Sequence, residues 1–316
     1  MKIEPLTNTQ LQETADLLAA HDGNAAAAAR ASGISEYTLR SRRRRIVKRG
    51  CAASVLVENV SGSRPLKIMV IPDAQVKPGV NTDHLAAAGA YAAAKKPDVI
   101  VCIGDFADME SLSSYDLGKK SFEGRTYKAD IAAAKAGMKR LVDPIRRERE
   151  VSGWNPRMVL TLGNHEYRIE RAIELDRKLE GTISLTDLEY AKFGWEVHPF
   201  LEPVLIEGVC FSHYFVTGTM GRAASTASAI LSKKHQSVIA GHLQGRQVAY
   251  ATRADGSQIT VIIAGSFYSH QENYLGIQGN KHWRGLVMLH EVLDGSFDES
   301  FISLRFLLDW HKRNGG

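Results

Sequence analysis

Apolar residues fall in short runs along this chain, and polar residues capable of chemistry sit where those runs stop. Residues 67–71, 99–103, 158–162, 209–211 and 238–240 are rich in Ile, Val, Leu, Met and Phe and are three to five residues long. Runs of this length and composition predict buried strands. Between them, residues 82–95, 127–150 and 220–234 carry longer patterns that predict helices. The alternation predicts an α/β fold built in layers.

Each strand-like run leads at once into groups that bind ions or move protons. Run 67–71 delivers Asp73 and Gln75, run 99–103 leads into Gly104, Asp105 and Asp108, and run 158–162 into Gly163, Asn164, His165 and Glu166. Run 209–211 leads into Ser212 and His213, and run 238–240 into Gly241, His242 and Gln244. Open α/β sheets place their chemistry at strand ends. Five tips that gather carboxylate, amide and imidazole groups suit a divalent-metal hydrolase. Taken singly the pieces are ordinary: Gly-Asp-x-x-Asp often starts a helix, and Asn after Gly is turn chemistry. Their order is what carries weight.

The ordered set resembles the calcineurin-like metallophosphoesterase superfamily, whose pattern is Asp-x-His, Gly-Asp-x-x-Asp, Gly-Asn-His-Asp/Glu, a lone His, and Gly-His-x-His. The resemblance spans roughly residues 67–289. It implies two sheets packed face to face with helices outside, and two metals that share Asp105. One metal is then expected on Asp105, Asn164, His213 and His242, and the other on Asp73, Gln75, Asp105 and Gln244. Gln75 and Gln244 stand where the pattern has His. Both departures fall on the second site, so one firm and one weaker site are expected. An all-oxygen set suits Mg²⁺, Mn²⁺ or Ca²⁺ better than Zn²⁺; Mn²⁺ is the favoured ion for the protein, with Mg²⁺, Fe²⁺ and Zn²⁺ as alternatives. A divalent ion lowers the pKa of water and neutralises a phosphoryl oxygen. In the same resemblance His165 is the proton donor to the leaving oxygen, and Asp108 its partner.

Residues 1–50 hold nine of the 40 Lys and Arg and five of the 35 Asp and Glu, so nearly all of the net charge of +5 sits there. That segment reads as helices: residues 9–21, a second from Asn24 to about residue 31, a turn at Gly33, and a third capped by Ser35. Two short helices around a glycine form a helix-turn-helix signature, and residues 24–46 resemble the DNA-binding module of bacterial and phage regulators. Arg40, Arg44 and Lys48 recur four apart, with Arg42, Arg43 and Arg45 on the flanks. Such a face contacts phosphates or guanine edges. A solvated basic helix, or one that binds RNA or an acidic protein, is the plainer alternative. The expected organisation is a helix-turn-helix domain at 1–50, a linker at 51–65 and a metallophosphoesterase domain at 66–316.

The segment at 116–128 carries Lys119, Lys120, Arg125 and Lys128 and follows the second motif, so it reads either as a phosphate-contacting loop or as an exposed one. Arg168 and Arg171 are further phosphate-clamp candidates, the glycine-rich 214–222 a pocket wall, and His270, Tyr274, His282 and Trp283 candidates for base stacking. No run approaches the roughly 18 apolar residues of a membrane span, and residues 1–12 lack the apolar core of a secretory signal. Cys51, Cys102 and Cys210 are odd in number and far apart. Together these predict a cytoplasmic protein with reduced thiols. The function expected is a metal-dependent phosphodiesterase, a nuclease acting on DNA in a bacterial or phage setting. The alternatives are a phosphatase of phosphoproteins or small phosphoesters, and a DNA-binding protein whose glutamines have cost it catalysis. Helix-turn-helix readers often pair, so a homodimer is also an option.

Overall fold

Alternation within the strands decides the layering. In β1 (Leu66–Ile71), Ile68 and Val70 join one core and Met69 and Ile71 another. β2 (Val99–Cys102) divides in the same way, with Val99 and Val101 set against Ile100 and Cys102. Strands buried on both faces need apolar side chains at every buried position, as Ile68 to Ile71 and Val99 to Cys102 have. The computed structural model describes residues 13–14, 16–17, 25–34, 64–272 and 275–315. The chain divides into two compact units, Met1–Ser63 and Arg64–Gly316.

In the second unit, β1 and β2 continue in parallel into β3 (Arg157–Thr161) and β4 (Glu196–His198). A second sheet contains β5 (Val204–Ile206), β6 (Val209–Ser212), β7 (Val238–Ala240), β8 (Gln247–Thr252) and β9 (Gln258–Ile263), in the order β5-β6-β7-β9-β8. Its three central strands are parallel and its two edge strands antiparallel. β10 (Gly285–Leu293) and β11 (Ser296–Ser303) return to the first sheet, β10 antiparallel to β1 and β11 antiparallel to β10, giving β11-β10-β1-β2-β3-β4. The inter-sheet core holds Val70, Val101, Ile103, Val159, Phe211, Ile239, Ile262 and Val287.

Helices close both outer faces. Among the described residues the helices of the chain are, in order, α1 (Ala25–Ser32), which belongs to the first unit, and in the second unit α2 (Asp83–Lys95), α3 (Tyr127–Ser152), α4 (Arg168–Leu175), α5 (Ala227–Lys234), the single turn α6 (Gly276–Gly279) and α7 (Leu304–Arg313). Leu85 and Ala88 of α2, Met138 and Leu141 of α3, and Leu307 of α7 pack with Met69 and Ile71 on the first sheet. Ala227 and Ile230 of α5 pack with Val238 and Ala240 on the second. The result is an α/β sandwich of two mixed sheets flanked by helices, the metallophosphoesterase type of fold. Among the described residues, no helix is long and apolar enough to cross a membrane. Cys102 is buried and Cys210 half-buried, and both are free thiols.

Helix boundaries follow their punctuation. Lys96, in the left-handed region, ends α2 with its N–H on the Ala92 carbonyl at 2.8 Å, and Pro97 follows. Thr126 caps α3 by accepting from the Ala129 N–H, and Gly153 terminates it. The helix expected over 220–234 is shorter: residues 220–226 form a loop, and α5 starts only after Thr226, whose hydroxyl accepts from the Ala229 N–H at 3.1 Å. A bridge between Val216 and Ala223 holds that loop in extended form, which the periodicity of its alanines and serines does not reveal.

In the first unit, α1 buries Ala28 among Leu17, Ala29 and Ile34, and Gly33 follows it with a positive φ of 71°. This is the second helix and glycine turn of the expected module. Its third helix, with Arg40, Arg42, Arg43, Arg44, Arg45 and Lys48, lies outside the described residues, as does Cys51.

Two stability predictions follow from α2. At Gly89 a Cβ would run into the Leu141 carbonyl oxygen and come within 3.1 Å of Pro144 Cγ, so this glycine sets how closely α2 and α3 approach. Gly89→Ala is expected to lower stability by about 1–3 kcal/mol in urea unfolding, because overpacking outweighs the roughly 1 kcal/mol of helix propensity that alanine brings. A more stable variant would mean the helices have room. His84 is 1% exposed and sits edge-on to Phe267, 5.1 Å between centroids. Burial, helped by the charge of His270, pushes its pKa down to about 3. Above pH 6.5 the ring is neutral folded and unfolded. From 6.5 down to about 3 only the unfolded chain takes the proton, so stability falls with pH at about 1.4 kcal/mol per unit from this group. His84→Leu should flatten the acid limb of the stability profile, and an unchanged limb would refute this.

Candidate metal centre

Parallel strands leave their C-terminal ends on one side, and both sheets present those ends to the same place. The tip of β1 carries Asp73 and Gln75, that of β2 Asp105 and Asp108, and that of β3 Asn164, His165 and Glu166. His213 follows β6, and His242 and Gln244 follow β7. Asp73, Asp105, Glu166 and His213 are at most 1% exposed. Gln75, Asp105 and His242 have φ of 42°, 48° and 67°, the left-handed region that side chains disfavour. Such backbone costs on the order of 1–3 kcal/mol per residue and persists where the surroundings enforce it, typically at functional sites.

Hydrogen bonds across strands enforce it here. Glu166 accepts from three backbone N–H groups, those of Asp105 at 3.0 Å, Ala107 at 2.9 Å and Gly163 at 2.9 Å, and the Tyr190 hydroxyl lies 3.3 Å away. The buried carboxylate thus staples the tip of β2 to that of β3. Gly163 has to be glycine, since a Cβ there would collide with the Asp105 carboxylate. The Gln75 N–H donates to the Asp105 carbonyl at 2.9 Å, which ties in the tip of β1. The His242 N–H reaches both oxygens of Asp73 at 3.1 Å, which ties in β7.

Three lone-pair donors then meet. Nδ1 of His213 lies 2.9 Å from the Ile103 carbonyl and donates its proton there, so Nε2 faces Asn164 Oδ1 at 2.9 Å and Asp105 Oδ2 at 3.2 Å. Asp105, His213 and His242 each bring a ligand atom within 4.8 Å of the others. Acceptors packed this closely need a positive charge between them. In the ion-free protein a second proton on His213 supplies it: burial would lower its pKa, but the charge of Asp105 and its hydrogen bond push it up to about 9. Burial and the charge of His213 hold His242 down to about 4, so it keeps a lone pair available. A carboxylate and two imidazoles, with an amide oxygen alongside, match the donor set of a divalent transition ion.

Toward the second predicted site, Asp73 is 0% exposed and burial, with the charge of Asp105, raises its carboxyl to about 7. Gln244 Nε2 is 3.5 Å from Asp73 Oδ2, and its Oε1 is buried with no hydrogen-bond partner. Gln75 is 3% exposed. Asp73 and Gln244 thus lie in the same buried region as Asp105, and no second cluster of His, Cys, Asp or Glu in ligand geometry occurs among the described residues.

His165 stands beside the cluster. Its Nε2 is 3.7 Å from Asp105 Oδ2 and its Nδ1 is 3.0 Å from Asp108 Oδ1, an approach too bent for a full hydrogen bond. Burial opposes protonation of His165, but Asp105 and Asp108 raise its pKa above the usual value. Burial likewise opposes the charge of Asp108, yet His165, Lys77 and Arg168 hold it well below the carboxylate range. Arg168 donates to the Asp108 carbonyl at 2.7 Å and lies 3.1 Å from His165 Nε2, so it is engaged as a brace of this pair.

Sequence reading missed two residues that shape this corner. Lys77 bridges Asp108 Oδ2 at 3.3 Å and Glu272 Oε1 at 2.6 Å, and Glu272 is in turn 2.6 Å from His270. Lys77 stands two residues past Gln75, on the segment the motif already marked. Glu166 closes its motif in the sequence, and its staple role becomes visible only with the three-dimensional position of the β2 loop. In the 116–128 segment, Lys119 and Arg125 are both paired with Asp116, at 2.9 and 2.8 Å, which leaves Lys120 and Lys128 outside that pairing. His270 and His282 serve internal contacts with Tyr268 and Ser266. Tyr274 lies outside the described residues.

A two-sheet α/β sandwich with a buried Asp-His-His cluster is consistent with the calcineurin-like metallophosphoesterase superfamily and supports a metal-dependent hydrolase. No protein-family model and no curated protein matches the chain. One solved crystal structure aligns with 75% of this chain and 99% of its own at 12% identity, with a TM-score of 0.34, a likeness too slight to carry an argument. The metal reading makes its own prediction. His213→Ala should lower Mn²⁺ affinity at least tenfold in calorimetric titration, since one donor and its backbone anchor are lost. Unaltered Mn²⁺ binding would remove His213 from the ligand set.

Proposed function

We propose that this protein is a metal-dependent phosphodiesterase that cleaves nucleic acid, DNA foremost, with residues 1–50 as a helix-turn-helix module, 51–65 as a linker and 66–316 as the catalytic domain. The observation that carries the reading is the meeting of Asp105, Asn164 and His213 donors next to the His165–Asp108 pair. Asp105, Asn164, His213 and His242 would hold the firm ion. Asp73, Gln75 and Gln244, with Asp105, would hold the weaker one. The unpartnered Gln244 oxygen supports that assignment, since a buried acceptor left unsatisfied costs about 1–3 kcal/mol. When bound, a divalent ion supplies Lewis acidity, which makes water a nucleophile near neutral pH and offsets phosphoryl charge.

The chain's own residues do the rest. Asp108, charged and braced by Lys77 and Arg168, fixes the His165 ring and favours its protonated form. His165 is then the proton donor to the leaving oxygen. Arg168 sits against Nε2 in this arrangement, so delivery from that nitrogen requires the guanidinium to turn aside. The proposed basic module, with Arg40, Arg42, Arg43, Arg44, Arg45 and Lys48, would raise the local concentration of polyanionic substrate at the catalytic domain.

The test is cleavage of end-labelled single- and double-stranded DNA in Mn²⁺, Mg²⁺ or chelator. His165→Ala should retain metal binding and slow turnover by about 10²–10⁴-fold, the usual effect of losing a general acid. DNA bound tightly but never cut, whatever the ion, would replace this reading with that of a binding protein. Hydrolysis confined to phosphomonoesters would replace it with that of a phosphatase.

A further inference from the structure

Beside the ligand histidines runs a chain of aromatic rings that the chemistry above does not use. Tyr214 follows His213 and its ring centroid lies 4.9 Å from that of His242. Phe200 meets Tyr214 edge-on at 5.4 Å and stands 6.4 Å from His213. Tyr167, one residue past Glu166, lies over Phe200 at 5.0 Å with the planes only 32° apart. Three different connections contribute these rings: the β3–α4 turn, the β4–β5 loop and the loop after β6. Packing alone would bury the outermost ring, yet Tyr167 is 39% exposed. The ladder therefore starts at the ligand histidines and ends on an open aromatic surface.

The loop that carries His242 also carries an available cation. Arg246 is exposed and lies over two rings, Trp283 at 4.8 Å and Phe301 at 4.4 Å. Among the described residues no carboxylate forms an ion pair with it. A guanidinium stacked in this way is held in place while its N–H edge stays free for a phosphate.

Resting on the phosphodiesterase reading, we infer that Tyr167, Phe200 and Tyr214 form a stacking subsite for a nucleobase flanking the scissile phosphate, with Tyr167 as its open face. The occupant follows from the neighbourhood. An apolar face that abuts a phosphate-handling centre suits a ligand with a flat ring joined to a phosphodiester, and the arginine on the His242 loop, held over Trp283 and Phe301, suits further backbone charge. Stacking tolerates every base, so the subsite would favour polymer over small phosphoesters without reading sequence.

The test is a tetranucleotide with 2-aminopurine at its centre, titrated with the full-length protein in Mn²⁺ and in chelator, beside the same oligonucleotide with an abasic position. Wild type should quench the 2-aminopurine and bind it about tenfold more tightly than the abasic form, the scale of one base–aromatic stack. Tyr167→Ala should abolish the quench and bring the ratio of the two affinities close to one, while Tyr167→Phe should keep both. Equal loss of affinity for both oligonucleotides in Tyr167→Ala, or a wild type that never quenches, would overturn the subsite. Quenching without cleavage in any metal would support the subsite and sink the phosphodiesterase reading. Cleavage without quenching would do the reverse.

Discussion

A buried negative charge at Asp105 is the constraint on which the rest of this architecture depends. Removing a carboxylate from water costs several kcal/mol unless charges and hydrogen bonds replace the hydration. Asp105 is 1% exposed, so every replacement must come from the protein or from a bound ion. The His165 N–H reaches Oδ1 at 2.8 Å, and His213 Nε2 reaches Oδ2 at 3.2 Å. One contact comes from the tip of β3 in the first sheet and the other from the tip of β6 in the second. The carboxylate thus needs both sheets. The packing of Val70, Val101, Phe211 and Ile239 between them is what holds the two tips in register.

Strain and clamp belong together. Gln75, Asp105 and His242 occupy left-handed backbone, and a chain free to relax would abandon it. Glu166 prevents this at β2 by accepting the Asp105 and Ala107 N–H groups, and Asp73 prevents it at β7 by accepting the His242 N–H twice. Two carboxylates are therefore spent on backbone. That leaves Asp105 Oδ2, Asn164 Oδ1, the His242 ring, Gln244 Oε1 and, once its second proton is displaced, His213 Nε2 as the groups free to turn to an ion. A site assembled this way is preorganised at the level of its backbone, which the two carboxylates hold in place.

Much of this was legible in the chain, and the exceptions are instructive. Short apolar runs ending in polar motifs located β1, β2, β3, β6 and β7 because buried strands leave a contiguous signature. β4, β5, β8 and β11 escaped, being short or partly exposed, with patterns such as QVAYAT that mix polar and apolar residues at an edge; β9 and β10 escaped although QITVII and GLVMLHEVL are largely apolar and buried, because none of the polar motifs follows them. The helix ending at Lys234 was overextended because alanine and serine periodicity persists through residues 220–226, where a bridge to Val216 wins instead. Within the centre, residue types at strand tips named the polar groups. Which of them hold each other could not be read: the Lys77–Glu272 pair joins residues 195 apart, and the ladder from Tyr167 to Tyr214 is assembled from three loops.

The two glutamines give the centre its asymmetry. With imidazoles at 75 and 244, the compartment around Asp73 would contain groups able to carry positive charge or donate nitrogen lone pairs. With glutamines it contains amides, and the Asp73 carboxyl, buried and facing Asp105, rises to about 7. An ion entering there has to displace that proton near neutral pH and settle for oxygen donors, which favours hard, weakly held cations. The other half of the centre keeps the nitrogen donors His213 and His242, with His165 beside them. On the proposed reading, chemistry therefore leans on the firm ion and on His165, and whatever a loosely held second ion fails to contribute must be recovered through substrate binding. On that same reading, the proposed basic module and the proposed stacking face beside His213 and His242 supply that binding.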